Sequence, residues 1–261
     1  MKFQQIRSAT AIVTFGNVRF LIDPWLGDKG SIPPLPGSPN GDLSCPIHDL
    51  PCCINQLLQV DAVIATHLHF DHFDETAFQI IPKEMTIFTQ DEVDAETLRR
   101  RAFRDVRILD ANGSKFNGVD LFKTECLHGQ KENIDTLYNM VQLRKEACGV
   151  IFKHPEESKI FYLAGDTVFF EGVSRAINRF SPDIIAVNAA EASITGFGNI
   201  IMGISDIEKT LVAAPQAQLI TTHMDEVCHS KLWRKDLRKY VCGNALGQKI
   251  LIPDDGETLF F

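Results

Sequence analysis

The stretch "DAVIATHLHFDHFDE" (residues 61–75) joins a buried-strand pattern to three histidines and three acidic residues. The apolar run of residues 62–65 is typical of a strand buried on both faces. Side chains alternate in direction along a strand, so we expect His67 and His69 to extend the strand, point the same way and reach one cation. Asp71 and His72 lie beyond the strand, where a turn can direct them toward a second cation. The pattern HxHxDH therefore predicts a metal site at the end of a strand.

Length and composition favour a single globular domain of residues 1–261. The chain is 44% hydrophobic and 23% charged, and its net charge of −8 offers no long-range attraction to nucleic acid phosphates, so no nucleic-acid partner is expected. No apolar run approaches the roughly 20 residues of a membrane span, and the first residues lack a signal-peptide pattern. Seven cysteines without a CxxC pair are interpreted as reduced thiols. We therefore expect a cytoplasmic protein with no membrane contact.

Patterns along the rest of the chain predict an α+β fold. Alternating apolar residues flank the turn Gly16-Asn17, and a second hairpin signal lies at Asn117-Gly118. Strand and helix patterns then alternate, including a helix with a capping box from Ser205 to Glu208, and two short terminal strands close the chain. Residues 25–51 are rich in Pro and Gly and have no period, which predicts a long surface loop. Hairpins followed by strand–helix units favour two mixed sheets with helices on their outer faces.

Three further candidate ligands each follow a predicted strand directly. They are His128 in "CLHG", Asp166 in "LAGDT" and His223 in "TTHMD". A carboxylate has two oxygens, so Asp166 suits a position between two cations. The predicted assignment is one metal at His67, His69 and His128, a second at Asp71, His72 and His223, and Asp166 with a solvent molecule between them.

The ordered set "THLHFDH", "LHG", "AGDT" and "TTHMD" resembles the metallo-β-lactamase superfamily. This resemblance implies an αββα sandwich, two sheets packed face to face, with one or two metals at the edge of the sheets. The segments "SATAIVTFGNVRFLIDPW" (residues 8–25) and "ILIPDDGETL" (residues 250–259) resemble the branch of small metal-dependent hydrolases related to L-ascorbate 6-phosphate lactonase. The family pattern also implies that Asp23 supports a metal-binding histidine.

Such a site predicts a metal-dependent hydrolase of a small molecule. Two divalent cations lower the pKa of a solvent molecule between them toward neutrality, and the hydroxide can cleave an ester, lactone or phosphoester bond. Asp71 is the candidate catalytic residue, because its second oxygen could orient the water and accept its proton. Nitrogen ligands predominate, so zinc is the first expectation and manganese the second.

Other interpretations remain open at this point. A nuclease or phosphodiesterase, a thioester hydrolase and a non-catalytic metal-binding scaffold share the same ligands. Asn188 lies at the end of a predicted strand, and His229 lies near a predicted helix start, close after His223; both are candidate substrate contacts. Substrate recognition is expected in two loops, residues 25–51 and 131–143. Apolar residues in the first loop could also pack against a second copy, giving a homo-oligomer.

Overall fold

The first of two seven-stranded sheets is built mainly from the N-terminal half of the chain. The computed structural model describes residues 1–261 and orders this sheet β16-β1-β2-β3-β4-β5-β6. Strands β1 to β3 are antiparallel, whereas β3 to β6 are parallel, so the sheet is mixed as predicted. Its strands are β1 (Lys2–Arg7), β2 (Thr10–Phe15), β3 (Val18–Ile22), β4 (Ala62–Ile64), β5 (Thr86–Thr89), β6 (Val106–Ile108) and β16 (Thr258–Phe260).

The second sheet has the order β15-β14-β11-β10-β9-β8-β7 and is also mixed. Its strands are β7 (Ser114–Phe116), β8 (Val119–Glu125), β9 (Cys148–Lys153), β10 (Phe161–Leu163), β11 (Ile184–Asn188), β14 (Gln218–Thr222) and β15 (Ile250–Leu251). Strands β8 and β10 both run antiparallel to β9, and β11 and β14 run parallel to β10. The carboxyl ends of β8, β10 and β14 therefore meet at one edge. A separate pair, β12 (Ser193–Ile194) and β13 (Gly198–Asn199), lies outside both sheets.

Apolar packing arranges these elements in four layers. The largest core cluster joins both sheets through residues such as Phe20 and Phe152, whose ring centroids are 5.5 Å apart. A second cluster packs α5, α6 and α7 on the second sheet, and a third packs α2 and α3 on the first. The helices are α1 (Ile54–Leu57), α2 (Glu75–Ile80), α3 (Glu92–Arg100), α4 (Ile134–Val141), α5 (Glu171–Phe180), α6 (Ile204–Ala213) and α7 (Arg234–Gly243). The predicted αββα sandwich is confirmed.

Several local predictions were wrong. Strand β4 ends at Ile64, so His67 and His69 lie in the following turn instead of extending the strand. Helix α6 begins after Gly203, which places Ser205 inside the first turn, where it cannot cap. The two predicted terminal strands are present and join different sheets, since β15 pairs with β14 and β16 pairs with β1.

Helix α4 replaces part of the predicted loop 131–143. Its buried residues are Ile134, Leu137 and Tyr138, which have the i, i+3, i+4 spacing of an amphipathic helix. This spacing is visible in "IDTLYNMV" (residues 134–141) and could have indicated the helix.

The long loop 25–51 has no helix and only one isolated bridge, between Ile32 and Cys45. The buried Arg7 anchors it, since its guanidinium donates to the carbonyl oxygens of Trp25 (2.7 Å), Gly27 (2.8 Å) and His48 (3.2 Å). The guanidinium of Arg7 therefore stabilises this loop. Among the helices, none has the length and apolar character that crossing a membrane requires.

Candidate metal centre

The seven predicted ligand side chains lie together at one edge of the two sheets. Four of them come from the turn after β4, and the others follow β8, β10 and β14. All seven are buried, the most exposed being His69 at 7%. They are His67, His69, Asp71, His72, His128, Asp166 and His223.

These side chains form two groups with a carboxylate between them. In each group the potential ligand atoms lie within 4.8 Å of one another. The His67 group contains His67, His69 and His128, and the His72 group contains Asp71, His72 and His223. Asp166 Oδ2 lies 3.3 Å from Nε2 of His72 and 3.3 Å from Nε2 of His128, so it faces both groups. Its Oδ1 lies 3.8 Å from Nε2 of His223. His67, His72 and Asp166 form a third such group, which joins the other two.

Tight turns aim several of these side chains. Gly165 precedes Asp166 with φ +70°, and a Cβ there would collide with the carbonyl oxygen of Cys148. The turn before Asp166 therefore requires glycine. Asp23 and His223 also have positive φ, 44° and 58°, a conformation that L-residues rarely adopt. Such local strain is most often retained at functional sites.

Hydrogen bonds behind the cluster fix the orientation of three imidazoles. Asp23 accepts from Nδ1 of His72 (2.9 Å), which leaves Nε2 of His72 facing the cluster. Nε2 of His69 donates to the carbonyl oxygen of Arg144 (2.5 Å), so its Nδ1 remains for the cluster. Nδ1 of His223 lies 3.3 Å from the hydroxyl of Ser8. The family resemblance implied the contact of Asp23 with a histidine. The contacts of Ser8 and of the Arg144 carbonyl join segments that are distant in the chain.

The residues present fit divalent metal ions. Nε2 of His67 and both ring nitrogens of His128 are buried without a hydrogen-bond partner, which is rare for polar atoms. Nε2 of His72 and Nε2 of His223 lie only 3.0 Å apart. Five imidazoles and two carboxylates form a donor set typical of zinc and related divalent ions. A cation would provide Nε2 of His67 and one ring nitrogen of His128 with a partner.

Burial and neighbouring charges set the protonation of the cluster. Burial lowers the pKa of His67 and His69, and lowers that of His128 to about 3, so these imidazoles are neutral. Burial opposes the charge of Asp166, but the surrounding histidines hold its pKa well below the usual range. Burial also opposes the charge of His72, yet Asp166 and Asp23 raise its pKa well above the ordinary value. Three neutral imidazoles and the charged Asp166 are in the forms that bind metal, whereas His72 would have to release its proton when a metal binds.

The two predicted substrate contacts differ in position. The amide of Asn188 is buried and donates to Oδ1 of Asp166 (2.5 Å), so it supports a cluster carboxylate instead of facing the cleft. His229 lines the cleft beside Asp71 and Asp166. Tyr138, which the sequence interpretation missed, also lines the cleft, and its hydroxyl donates to the carbonyl oxygen of His128 (2.9 Å).

The cleft beside the cluster is small and mostly apolar. Its volume is about 60 Å³, and no Lys or Arg lines it. Loop 25–51, α4 and the β12–β13 pair contribute most of its apolar wall. The apolar lining residues are Leu35, Phe70, Leu137, Tyr138, Val141, Leu143, Ile194 and Ile200. A wider groove of about 520 Å³, which includes Glu125 and Arg175, contains none of the seven clustered side chains.

Comparison with known families identifies this arrangement. The sequence model described as the beta-lactamase superfamily domain matches residues 18–224, which contain all seven clustered residues. The chain belongs to the metallo-β-lactamase superfamily. It is a metal-dependent hydrolase of this fold, so the predicted superfamily and enzyme class are confirmed. The relation to the ascorbate phosphate lactonase branch stays a prediction.

Several proteins of known sequence or structure are similar to this chain over nearly its whole length. The UPF0173 protein YddR of Bacillus subtilis (strain 168) is 39% identical over 262 residues, which is 100% of both chains. The isothiocyanate hydrolase from Delia radicum gut bacteria superposes with a TM-score of 0.94 at 40% identity, over 100% of this chain and 99% of that one. A possible metal-dependent hydrolase from Veillonella parvula DSM 2008 has the same TM-score of 0.94 and 40% identity, over 99% and 98% of the two chains.

Proposed function

We propose that this enzyme hydrolyses a small, neutral and largely apolar electrophile, with isothiocyanates (R–N=C=S) as the first candidates. The observation that carries the proposal is the apolar wall beside the cluster, which includes no Lys or Arg. Arg, Lys and backbone N–H groups are the usual protein partners of phosphate, so apart from the proposed metal ions this wall offers a phosphate no charged partner, which favours an uncharged substrate. Burial of an apolar substituent against this wall would contribute about 25 cal/mol per Å².

The isothiocyanate class is supported by a relative that covers the whole chain. The protein titled isothiocyanate hydrolase is 40% identical to this chain and superposes with a TM-score of 0.94. An isothiocyanate is linear and neutral, and its central carbon is electrophilic, which suits a narrow cleft next to a hydrolytic centre. Neutral esters and lactones share the lack of charge and form the second class to be assayed. The phosphoester bond, which the sequence pattern also allowed, fits this wall less well.

Two divalent ions are proposed at the clustered side chains. The His67 group would hold one ion, the His72 group the other, and Asp166 would lie between them. When bound, such ions supply a Lewis acid and an activated water. Zinc is the first expectation and manganese the second, because five of the seven ligands are imidazoles. Asp71 lines the cleft, so its carboxylate is proposed to orient the attacking water and to accept its proton.

A substrate panel with and without chelator tests this function. Purified protein is assayed on benzyl isothiocyanate, γ-butyrolactone, p-nitrophenyl acetate and bis-p-nitrophenyl phosphate, with metal content measured by elemental analysis. We expect chelator-sensitive turnover that is fastest with the isothiocyanate, and its loss in His67→Ala. Faster turnover of the phosphodiester, or no chelator-sensitive turnover of any neutral substrate, would contradict the proposal.

A pair of charge substitutions tests the apolar wall itself. Ile194→Asp would place an unpaired carboxylate in the cleft, and we expect it to raise the KM for benzyl isothiocyanate at least tenfold. Val212→Asp is the matched control, because Val212 is 82% exposed on α6 and does not line the cleft. Equal KM values in the two variants would show that the wall does not contact the substrate.

The cellular setting is part of the same proposal. A cytoplasmic location fits the seven free thiols of the chain. We propose a small-molecule substrate without nucleic-acid or membrane partners, and a homo-oligomer as the assembly to look for by light scattering.

A further inference from the structure

His229 is a polar side chain of the cleft that lies outside the proposed metal ligands and has a buried ring nitrogen without a hydrogen-bond partner. Four other polar lining residues belong to the proposed metal ligands, and the hydroxyl of Tyr138 is bonded to the carbonyl oxygen of His128 at 2.9 Å. His229 is only 7% exposed, and its Nδ1 is buried without a hydrogen-bond partner. Such an atom requires an explanation, and a bound molecule supplies one. The four ligands are His69, Asp71, His128 and Asp166.

The backbone on both sides of His229 is held in place. The carbonyl oxygen of His229 accepts from the backbone N–H of Ser193 (2.9 Å). Asn40 donates its backbone N–H to the carbonyl oxygen of Cys228 (2.9 Å) and its side-chain amide to that of Ser230 (2.7 Å). Ser193 belongs to β12 and Asn40 to loop 25–51, the same two segments that form part of the apolar wall. The imidazole is therefore held relative to the substrate-facing surface, as a group that acts on substrate must be.

We propose that His229 contacts the nitrogen of the bound isothiocyanate and protonates it as water adds to the central carbon. This inference rests on the proposed function. The water oxygen forms a bond to carbon, and the electron pair of the C=N bond moves to nitrogen. Nitrogen takes a proton from His229, and Asp71 takes the proton that water loses. Asp71 then releases its proton to solvent, and His229 takes one back from solvent. The product, R–NH–C(=S)–OH, contains the atoms of the isothiocyanate and one water, and it separates into an amine and carbonyl sulfide.

Substituent effects distinguish a proton donor from a residue that only fills space. In para-substituted phenyl isothiocyanates, a nitro group stabilises negative charge on nitrogen and reduces the need for a proton, whereas a methoxy group does not. We expect His229→Ala to lower kcat for the 4-methoxy substrate by about 10²–10⁴-fold, the usual range for lost general acid catalysis. The loss for the 4-nitro substrate should be at least about tenfold smaller, on the same reasoning.

Two further variants complete the experiment. His229→Asn places an amide near the position of Nδ1. We therefore expect this variant to have the KM of wild type and the low kcat of His229→Ala. His154→Ala is the matched control, because His154 lies in the loop between β9 and β10, at the opposite end of the second sheet. This variant should show the wild-type dependence on the substituent. Circular dichroism and metal content establish that each variant is folded and loaded; if His229→Ala is not, the asparagine variant carries the comparison.

The possible results separate the inference from the function. A loss of kcat that is equal across the substituent series would overturn the role of His229 and leave the hydrolase function standing. Wild-type protein that turns over no isothiocyanate would overturn the proposed substrate class, and the inference with it. A steeper substituent dependence in both His229 variants than in wild type and His154→Ala would support the inference.

Discussion

Replacing Asp23 by asparagine is expected to weaken metal binding at the His72 group and to leave the His67 group intact. Asp23 is buried and accepts three hydrogen bonds, from the backbone N–H of Thr66 (2.7 Å), the hydroxyl of Thr66 (2.8 Å) and Nδ1 of His72 (2.9 Å). An asparagine has one acceptor oxygen and one NH₂ group. If the oxygen faces the Thr66 N–H, the NH₂ group faces His72 and favours the tautomer with its proton on Nε2, which cannot bind a metal. If the amide is reversed, two N–H groups meet at Thr66.

Neither orientation of the asparagine amide can keep all three hydrogen bonds of Asp23. The loss of one of them sets the expected decrease in metal affinity. A hydrogen bond to a charged group contributes about 1.5–3 kcal/mol. Loss of a residue that orients a metal ligand typically weakens metal affinity about 10–100-fold. That range corresponds to about 1.4–2.8 kcal/mol, so the two values agree. We expect one of two metal equivalents to bind about 10–100-fold more weakly.

The assay is a zinc titration of metal-free protein against a chromogenic chelator, followed by elemental analysis after dialysis. Asp120→Asn is the matched control, because Asp120 lies in β8 and accepts from the exposed Lys115 (2.7 Å). This control should bind both equivalents as wild type does. Wild-type affinity at both sites in Asp23→Asn, or an equal loss at both, would refute the reasoning from the His72 tautomer.

Three further outcomes are expected. Asn188→Ala removes the donor that holds Oδ1 of Asp166, so the same titration should show about tenfold weaker binding, the low end of the range for such residues; unchanged binding would contradict this role. Tyr138→Phe should lower the free energy of unfolding in urea by about 0.5–1.5 kcal/mol through the lost bond to His128, and it is compared with Tyr240→Phe, whose hydroxyl contacts an exposed carboxylate. Chelation should lower the melting temperature, and zinc at a hundredfold excess over Kd should return about 2.7 kcal/mol of stability. A melting temperature that does not respond to chelator or zinc would argue against metal binding by the folded state.

Much of this protein could be predicted from local patterns. The hairpin around Gly16 and the strand–helix units follow from alternation and turn residues, which act over a few neighbours in the chain. The candidate ligands could be identified because polar side chains after buried strands are unusual. Their division between two ions stays a prediction.

Other features depend on pairing between distant segments. Strands β15 and β16 have the same short apolar pattern, yet β16 joins the first sheet and β15 joins the second. The sheet that each strand joins is determined by the strands next to it and not by its own sequence. Asn188 looks like a turn residue until β11 lies beside β10 and brings its amide to Asp166.

The sequence by itself determined which chemistry is available, since it supplies five imidazoles and two carboxylates after buried strands in a recognisable order. Only the tertiary structure decided how that chemistry is directed. The apolar wall combines loop 25–51, α4 and the β12–β13 pair, and His229 is held between two of these segments. Their convergence depends on long-range packing free energy, which no local pattern of residues encodes.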